Sequence, residues 1–327
     1  MAIKTFVLLL VGLTLASVHL AEAQQPTRIP RIGFLEATSY STIQARVEAF
    51  LQGLRELGYV EGKNIHIEYR WAEGKLDRLP NLAAELVRLK VDVIVTGGPT
   101  AIPPAKEATA SIPIVMAFAS DPVGSGFVAS LSRPGGNTTG LSSLAPEISG
   151  KQLELLKEIV PKLSRVAVLG TSTRPGHAQA LREVELAAGA FGVQLQFLDV
   201  QTPKDIEIAF RTASKGHAEA ILVLGSPVFI LQRIQLADIA VKNRLPAIYD
   251  RSEFVEDGGL LSYGVSLNDL HRRSAIYVDK ILKGAKPADL PVEQPTKFEF
   301  IINLKAAKQI GLTIPPNVLV RADMVIK

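Results

Sequence analysis

Residues 91–109 read VDVIVTGGPTAIPPAKEAT, and how this stretch folds decides the architecture of the chain. A run too continuously apolar to have a wet face ends on Gly97, Gly98, Pro99 and Thr100, and a helix-forming segment follows at once. A strand that stops on glycine and proline and passes directly into a helix is one unit of a parallel sheet covered by helices. The two glycines fit a turn that needs flexible residues. They equally fit a loop that brings backbone N–H groups close to a ligand.

The same rhythm runs outward in both directions. RIGFLEA (31–37), NIHIEYRWA (64–72) and IPIVMAFAS (112–120) are expected strands. Between them Ile43, Val47, Phe50, Leu54 and Leu57 recur at helical spacing before Gly58, which stands where a helix C-cap glycine belongs. Asp77 is placed to cap a helix over 78–90. After the turn-rich residues 132–140 the pattern restarts, with strands expected at RVAVLGT, VQLQFLDV, EAILVLGS, PAIYD and GLLSYG, and a helix over about 176–190 running into Gly192. Two similar open α/β sheets in tandem are the economical reading. One doubly wound sheet of about ten strands is the alternative, close to the upper size for open sheets.

Composition narrows the function classes. A chain of 327 residues, 47% hydrophobic and 21% charged, is globular and long enough for two domains. Residues 1–23 carry Lys4, an apolar run over 6–18 and Ala21-Glu22-Ala23, the pattern of a secretory signal cleaved before Gln24. An uncleaved anchor is the competing reading, although the run is shorter than the ~20 residues a bilayer needs. There is no cysteine, so neither a disulfide nor a lipid-modified cysteine is available and the core alone holds the fold. The expectation is an exported protein free in a periplasm. A net charge of +4, with Lys and Arg spread along the chain, does not indicate nucleic acid or acidic lipid as a partner.

In open parallel sheets ligands bind beyond the carboxyl ends of the strands. The segments there are ATSYST (37–42), TGGPT (96–100) and ASDPVGSG (119–126), then GTSTRPG (170–176), LGSPVF (224–229) and YDRSEF (249–254). Any one of these hydroxyl- and glycine-rich loops is also an ordinary capping turn. Three from each half would line both walls of one cleft. Enzyme signatures are missing: GSGFVA (124–129) has a dinucleotide-like spacing but is separated from its strand, and there is no GxSxG or GxxxxGK[ST]. His66, His177, His217 and His271 are isolated from one another, so no metal site, cofactor or catalytic residue is expected. Trp71, the single tryptophan, packs over a strand end or stacks on a ligand.

Four stretches, GYVEGKNIHIEYRWAEGKLDRLPNLAAELV (58–87), SDPVGSGFVASLSRPGGNTTG (120–140), KQLELLKEIVPKLSRVAVL (151–169) and the segment from LSYGVSLNDLHRR to KQIGLTIPP (261–316), closely resemble ABC-importer substrate-binding proteins of the tryptophan/tyrosine type. The resemblance covers essentially the whole mature chain. It implies a type I periplasmic binding fold, in which two Rossmann-like lobes with parallel sheets, joined by hinge strands, close on a small molecule. The implied lobes are 28–144 plus about 263–294 and 145–262 plus about 295–327, with chain crossings near 139–145, 262–265 and 291–297. The implied partners are a small polar or zwitterionic ligand, an aromatic amino acid among the candidates, and an inner-membrane ABC permease, with the chain a monomer.

Matched residue by residue, the cleft loops of that family fall on Ser39, Tyr40 and Ser41, on Gly98, Pro99 and Thr100, and on Ser120 and Asp121. From the other lobe they fall on Thr171, Ser172 and Thr173, on Ser226 and Pro227, and on Tyr249 and Asp250. Asp121 or Asp250 is expected to hold an ammonium group, with loop hydroxyls and helix N-termini holding a carboxylate. The departure is GTSTRPGHAQ (170–179), where many relatives carry an asparagine-rich loop, so Thr173 and Arg174 leave the cargo open. Two other classes compete: a ligand-sensing domain of a signalling or regulatory system, which would need a DNA-binding or tethering segment, and an enzyme, for which the motifs are missing.

Overall fold

The computed structural model describes residues 28–160 and 162–327, and the expected signal over 1–23 lies outside the described residues. The strands form two separate sheets instead of one long one. The first sheet contains β1 (Arg31–Glu36), β2 (His66–Trp71), β3 (Val93–Thr96), β4 (Ile114–Ala119) and β5 (Thr138–Ser142), all parallel, in the order β2-β1-β3-β4-β5. The second contains β6 (Arg165–Gly170), β7 (Gln194–Asp199), β8 (Ala220–Val223), β9 (Ala247–Tyr249), β10 (Leu261–Val265), β11 (Phe298–Asn303) and β12 (Met324–Ile326). Its order is β12-β11-β10-β9-β8-β6-β7, and only the β10–β11 pair is antiparallel. Without β11 and β12, the second sheet repeats the order of the first.

Helices cover both faces of each sheet, which accounts for the fully buried strands β3, β4 and β8. On one face of the first sheet the helix Tyr40–Glu56 places Val47, Phe50 and Leu54 against Phe34 and Val95, together with the helix Leu267–Leu282. The helices Leu79–Arg88 and Ile102–Ala108 cover the other face. The second sheet is covered by the helices Ala145–Ile159 and His177–Phe191 on one side, and by Pro203–Lys215 and Arg233–Lys242 on the other. Each sheet with its helices is a lobe. Among the described residues no helix is long and apolar enough to cross a membrane.

The chain passes between the sheets three times: after β5, after β10 and before β11. The first and third passages run side by side. Ser142 N–H donates to the Glu293 carbonyl at 2.8 Å, and Thr139 Oγ1–H donates to that of Leu290 at 2.6 Å. Three strands differ from the sequence reading. β5 begins within the stretch read as turn-rich and runs two residues past it, since TTGLS has no apolar run, yet burial of all five of its residues makes it a core strand. β11 and β12 were not expected, because their neighbours rather than their own pattern define them. Asp77 sits in a 3₁₀ turn over Leu76–Arg78, and the helix that follows, Leu79–Arg88, has Arg78 at its N-cap with no side-chain cap.

Gly53 shows how tightly the outer helices are packed. A Cβ there would run into the Arg272 carbonyl oxygen and lie 2.9 Å from Ala275 Cβ. Gly53→Ala should therefore force the helix Tyr40–Glu56 away from Leu267–Leu282 and cost roughly 1–3 kcal/mol of stability, despite the better helix propensity of alanine. Urea unfolding of the variant checks this, and an unchanged or raised midpoint would show that the helices separate without strain.

Candidate functional site

The loops that leave the carboxyl ends of the two sheets meet across a cleft. Two small adjoining cavities, one more extended than the other, lie in it, and Phe118, Arg174 and Arg251 line both. The larger is walled mainly by apolar groups, among them Ile148, Leu224, Val265 and Leu267, with Ser143, Ser149 and Asp250. The smaller is built from the ends of β1 and β3: Glu36, Thr38 and the segment from Gly97 to Thr100, together with Arg46, Pro227 and Ile230.

Each sheet holds a carboxylate at its edge by the same device. Gly97 follows β3, and a Cβ there would overlap Glu36 Oε2 from the adjacent β1. Gly225 follows β8, and a Cβ there would overlap Asp250 Oδ2 and lie 3.0 Å from its carboxyl carbon. A glycine beside the strand end is what leaves room for a charged group, and this is why the stretch TGG interrupts an apolar strand. Glu36 Oε1 accepts from Thr38 N–H at 3.0 Å and from Thr38 Oγ1–H at 3.1 Å, while Asp250 Oδ2 accepts from Arg251 Nε at 3.0 Å.

Three guanidiniums lie in the cleft beside these carboxylates. Arg46, on the first lobe, is paired with Glu253 on the second. Burial alone would raise the Glu253 carboxyl, but the Arg46 and Arg251 charges outweigh it and hold it at about 2. Arg251 lies 5.9 Å from the centre of the Phe118 ring across the cleft, a cation–π approach. Burial lowers Arg251, and the charges of Asp250 and Glu253 more than restore it. Arg174 has no carboxylate of its own: Nη2 donates to Ser120 Oγ on the opposite lobe at 2.7 Å. Burial and the neighbouring Arg251 pull it down to about 10, with Asp250 opposing. Further cross-lobe contacts are the Gln179 amide donating to the Gly124 carbonyl at 3.1 Å and Leu231 Cδ1 packed against Gly74.

Of the residues matched by resemblance, the structure brings Gly98, Pro99, Thr100 and Pro227 to the smaller cavity and Asp250 to the larger. Ser120 contacts Arg174 but lies, with Asp121, in a separate open depression beside Gln179 and Gln294. Asp121, expected as the alternative to Asp250 for an ammonium acceptor, lines neither cavity, and its Oδ1 accepts from the Gly124 N–H of its own loop at 2.8 Å. Thr171 and Ser226 are buried and hydrogen-bond each other at 2.8 Å, joining the β6 and β8 loops beneath the cleft. Ser172 bonds Asp199, and Thr173 bonds Gln201, on the exposed flank. Ser39 bonds Ser41 and Thr42 at a helix start, and Tyr40 packs edge-on to Trp71 at 5.9 Å. Tyr249 is fully buried in its own lobe, stacked on Phe254 at 4.6 Å. Trp71 itself stacks on Tyr69 at 5.7 Å beside Phe34, as a residue packed over a strand end.

The sequence reading missed Glu36, Arg46, Phe118, Arg251 and Glu253. Arg46 carried a legible signal, since it falls three residues after Ile43 and four before Phe50, on the buried stripe of its helix, where a charge needs a partner. Glu36 and Arg251 had none, as each is one charged residue at the end of an apolar run. No group of three or more residues suited to hold a metal ion occurs among the described residues.

Residues 31–326 match the family model described as ABC transporter substrate binding protein. A curated tyrosine-binding protein from Clostridioides difficile is 24% identical over 281 residues, 86% of this chain and 81% of that protein. The structure of an ABC domain from Streptococcus pneumonia in complex with L-Trp is similar with a TM-score of 0.85 and 28% identity, covering 91% of this chain and 99% of that one. A conserved domain protein from Vibrio cholerae has a TM-score of 0.84 and 29% identity, covering 91% of this chain and all of the other.

His271 lies beneath the cleft, 5.9 Å from the Phe118 ring, with Nδ1 2.8 Å from the Leu267 carbonyl oxygen. Burial, then the Arg46 charge, lowers its pKa to about 3, and burial lowers that of His177 as well. Below pH ~6.5 the unfolded chain binds protons that these folded imidazoles refuse, so stability is fully present above ~6.5 and falls as pH drops toward 3. Denaturant midpoints should decrease between about pH 6.5 and pH 5, before the carboxylates titrate, and His271→Gln should flatten the slope. A slope that is the same in the variant would mean that His271 takes up its proton in the folded state.

Proposed function

The chain belongs to the ABC transporter substrate binding protein family, and from that premise we propose that it captures a small zwitterionic solute between its lobes and delivers it to an inner-membrane permease. The observation that carries the reading is a pair of complementary buried atoms in one cavity. Arg174 Nε has no acceptor and Asp250 Oδ1 no donor, and both residues line the larger cavity. A buried polar atom left unpaired costs about 1–3 kcal/mol, so a solute whose carboxylate meets Arg174 and whose ammonium meets Asp250 recovers that cost twice. The apolar wall formed by Phe118, Ile148, Leu224 and Leu267 takes the side chain. Together these groups favour an α-amino acid with a large apolar or aromatic side chain, in line with the tyrosine and L-Trp named for the similar proteins.

Binding without chemistry is the function in this reading. The closing units are residues 28–144 with about 263–294, and 145–262 with about 295–327. The protein works as a monomer in the periplasm, after residues 1–23 are removed. Mass spectrometry of the small molecule released when the purified protein is denatured tests the cargo directly. The expected release is an amino acid; a cargo with neither carboxylate nor ammonium overturns the reading. In calorimetric titration with that amino acid, Asp250→Asn should weaken binding by ~2–5 kcal/mol, and the melting temperature of the free protein should fall as well, because Arg251 loses its bonded counter-charge.

A further inference from the structure

We propose that Arg174 makes closure of the lobes conditional on an anion, so that this residue, which the family match did not supply, sets the charge requirement of the cargo. The inference rests on the solute-binding reading above and adds a selection mechanism to it. The other two cleft arginines have carboxylates, Arg46 with Glu253 and Arg251 with Asp250. Glu36 spends Oε1 on the N–H and hydroxyl of Thr38. Arg174 is left with a single neutral partner from the opposite lobe, Ser120 Oγ, while its Nε is sealed from water without an acceptor.

Closing the cleft therefore moves much of a guanidinium out of water to a place where a like charge, Arg251, opposes its ionisation and the only carboxylate acting on it, Asp250, is already bonded to Arg251. An open cleft leaves Arg174 hydrated. A solute carboxylate seated on Arg174 supplies the missing counter-charge and the missing acceptor together, and it offsets the Arg251 field. A neutral solute, or an amine with the same side chain, leaves the charge buried and unpaired when the lobes close. That is selection by a repulsive element, in which wrong ligands are rejected by the charge they fail to cover.

Two measurements on the mature chain decide it. The first needs no cargo: small-angle scattering of the ligand-free wild type and of Arg174→Gln. Glutamine removes the buried charge, so the variant should be the more compact of the two, and L-tryptophan or L-tyrosine should compact the wild type. Equal radii of gyration for the two ligand-free proteins overturn the gate, even if amino-acid binding is confirmed.

The second is the affinity ratio of L-tryptophan to tryptamine and of L-tyrosine to tyramine. The wild type should prefer the amino acid by about 30-fold or more. Arg174→Gln should shrink that preference to a few-fold, and Arg174→Lys should keep most of it. A purely structural role would weaken amino acid and amine alike, so a ratio unchanged in Arg174→Gln overturns the assignment. If the wild type binds neither amino acid, the aromatic amino-acid reading of the cargo falls, and the scattering comparison still decides the gate.

Discussion

Charge held out of water is the constraint on which the rest of this structure depends. Guanidiniums and carboxylates meet where the edges of two sheets face each other, and a buried charge is tolerated only with a partner close by. Arg46 and Glu253 belong to different lobes, so the partner exists only when the lobes are together. Arg251 and Asp250 are sequence neighbours, so theirs exists in either state. One pair thus reports the relative position of the lobes while the other does not. The cleft combines an ion pair within one lobe, a pair between the lobes, and one guanidinium hydrogen-bonded only to a hydroxyl.

Sheet topology explains why these groups converge. In both lobes the first strand of the βα series lies between the second and the third, so the chain reverses direction of progress there and leaves a crevice at the carboxyl edge. Glu36 and the Gly97–Thr100 turn flank that crevice in the first lobe, and Arg174 with Gly225 and Pro227 flank it in the second. Gly97 and Gly225 hold equivalent places, one residue or two past the third strand of each series, and each clears space for a carboxylate from an adjacent strand or its loop. The two carboxylates reach the third strand from opposite neighbours, the first strand in one lobe and the fourth in the other, so the glycine is shared and the origin of the charge is not.

Much of this fold was legible in the sequence because parallel strands buried on both faces leave continuous apolar runs. VDVIVTGG and EAILVLGS announce β3 and β8 without help from neighbours. β5 and β11 do not: TTGLS is buried by what surrounds it, and FEFIIN is an antiparallel addition to a parallel sheet, whose place is set by the passage between lobes. The site was legible by position more than by chemistry. The loops at strand ends were identifiable, and Gly98, Pro99, Thr100, Pro227 and Asp250 line the two cavities of the cleft. Side-chain direction was not. Ser172 and Thr173 turn to the flank and bond Asp199 and Gln201, while Arg174, one residue later, turns into the cleft.

The hydroxyls carry the same lesson further. A serine or threonine after a strand is equally suited to cap a helix, to tie two loops together or to meet a ligand, and its neighbours decide which. Thr171 and Ser226 satisfy each other, and Ser39 satisfies Ser41 and Thr42, so none of these five needs a solute. A group already satisfied gains little from a ligand, because binding only exchanges one hydrogen bond for another. An unsatisfied buried group gains the full cost of its isolation. By that criterion Arg174 and Asp250, whose Nε and Oδ1 are buried without partners, have more to gain from a solute than the hydroxyls that already bond one another.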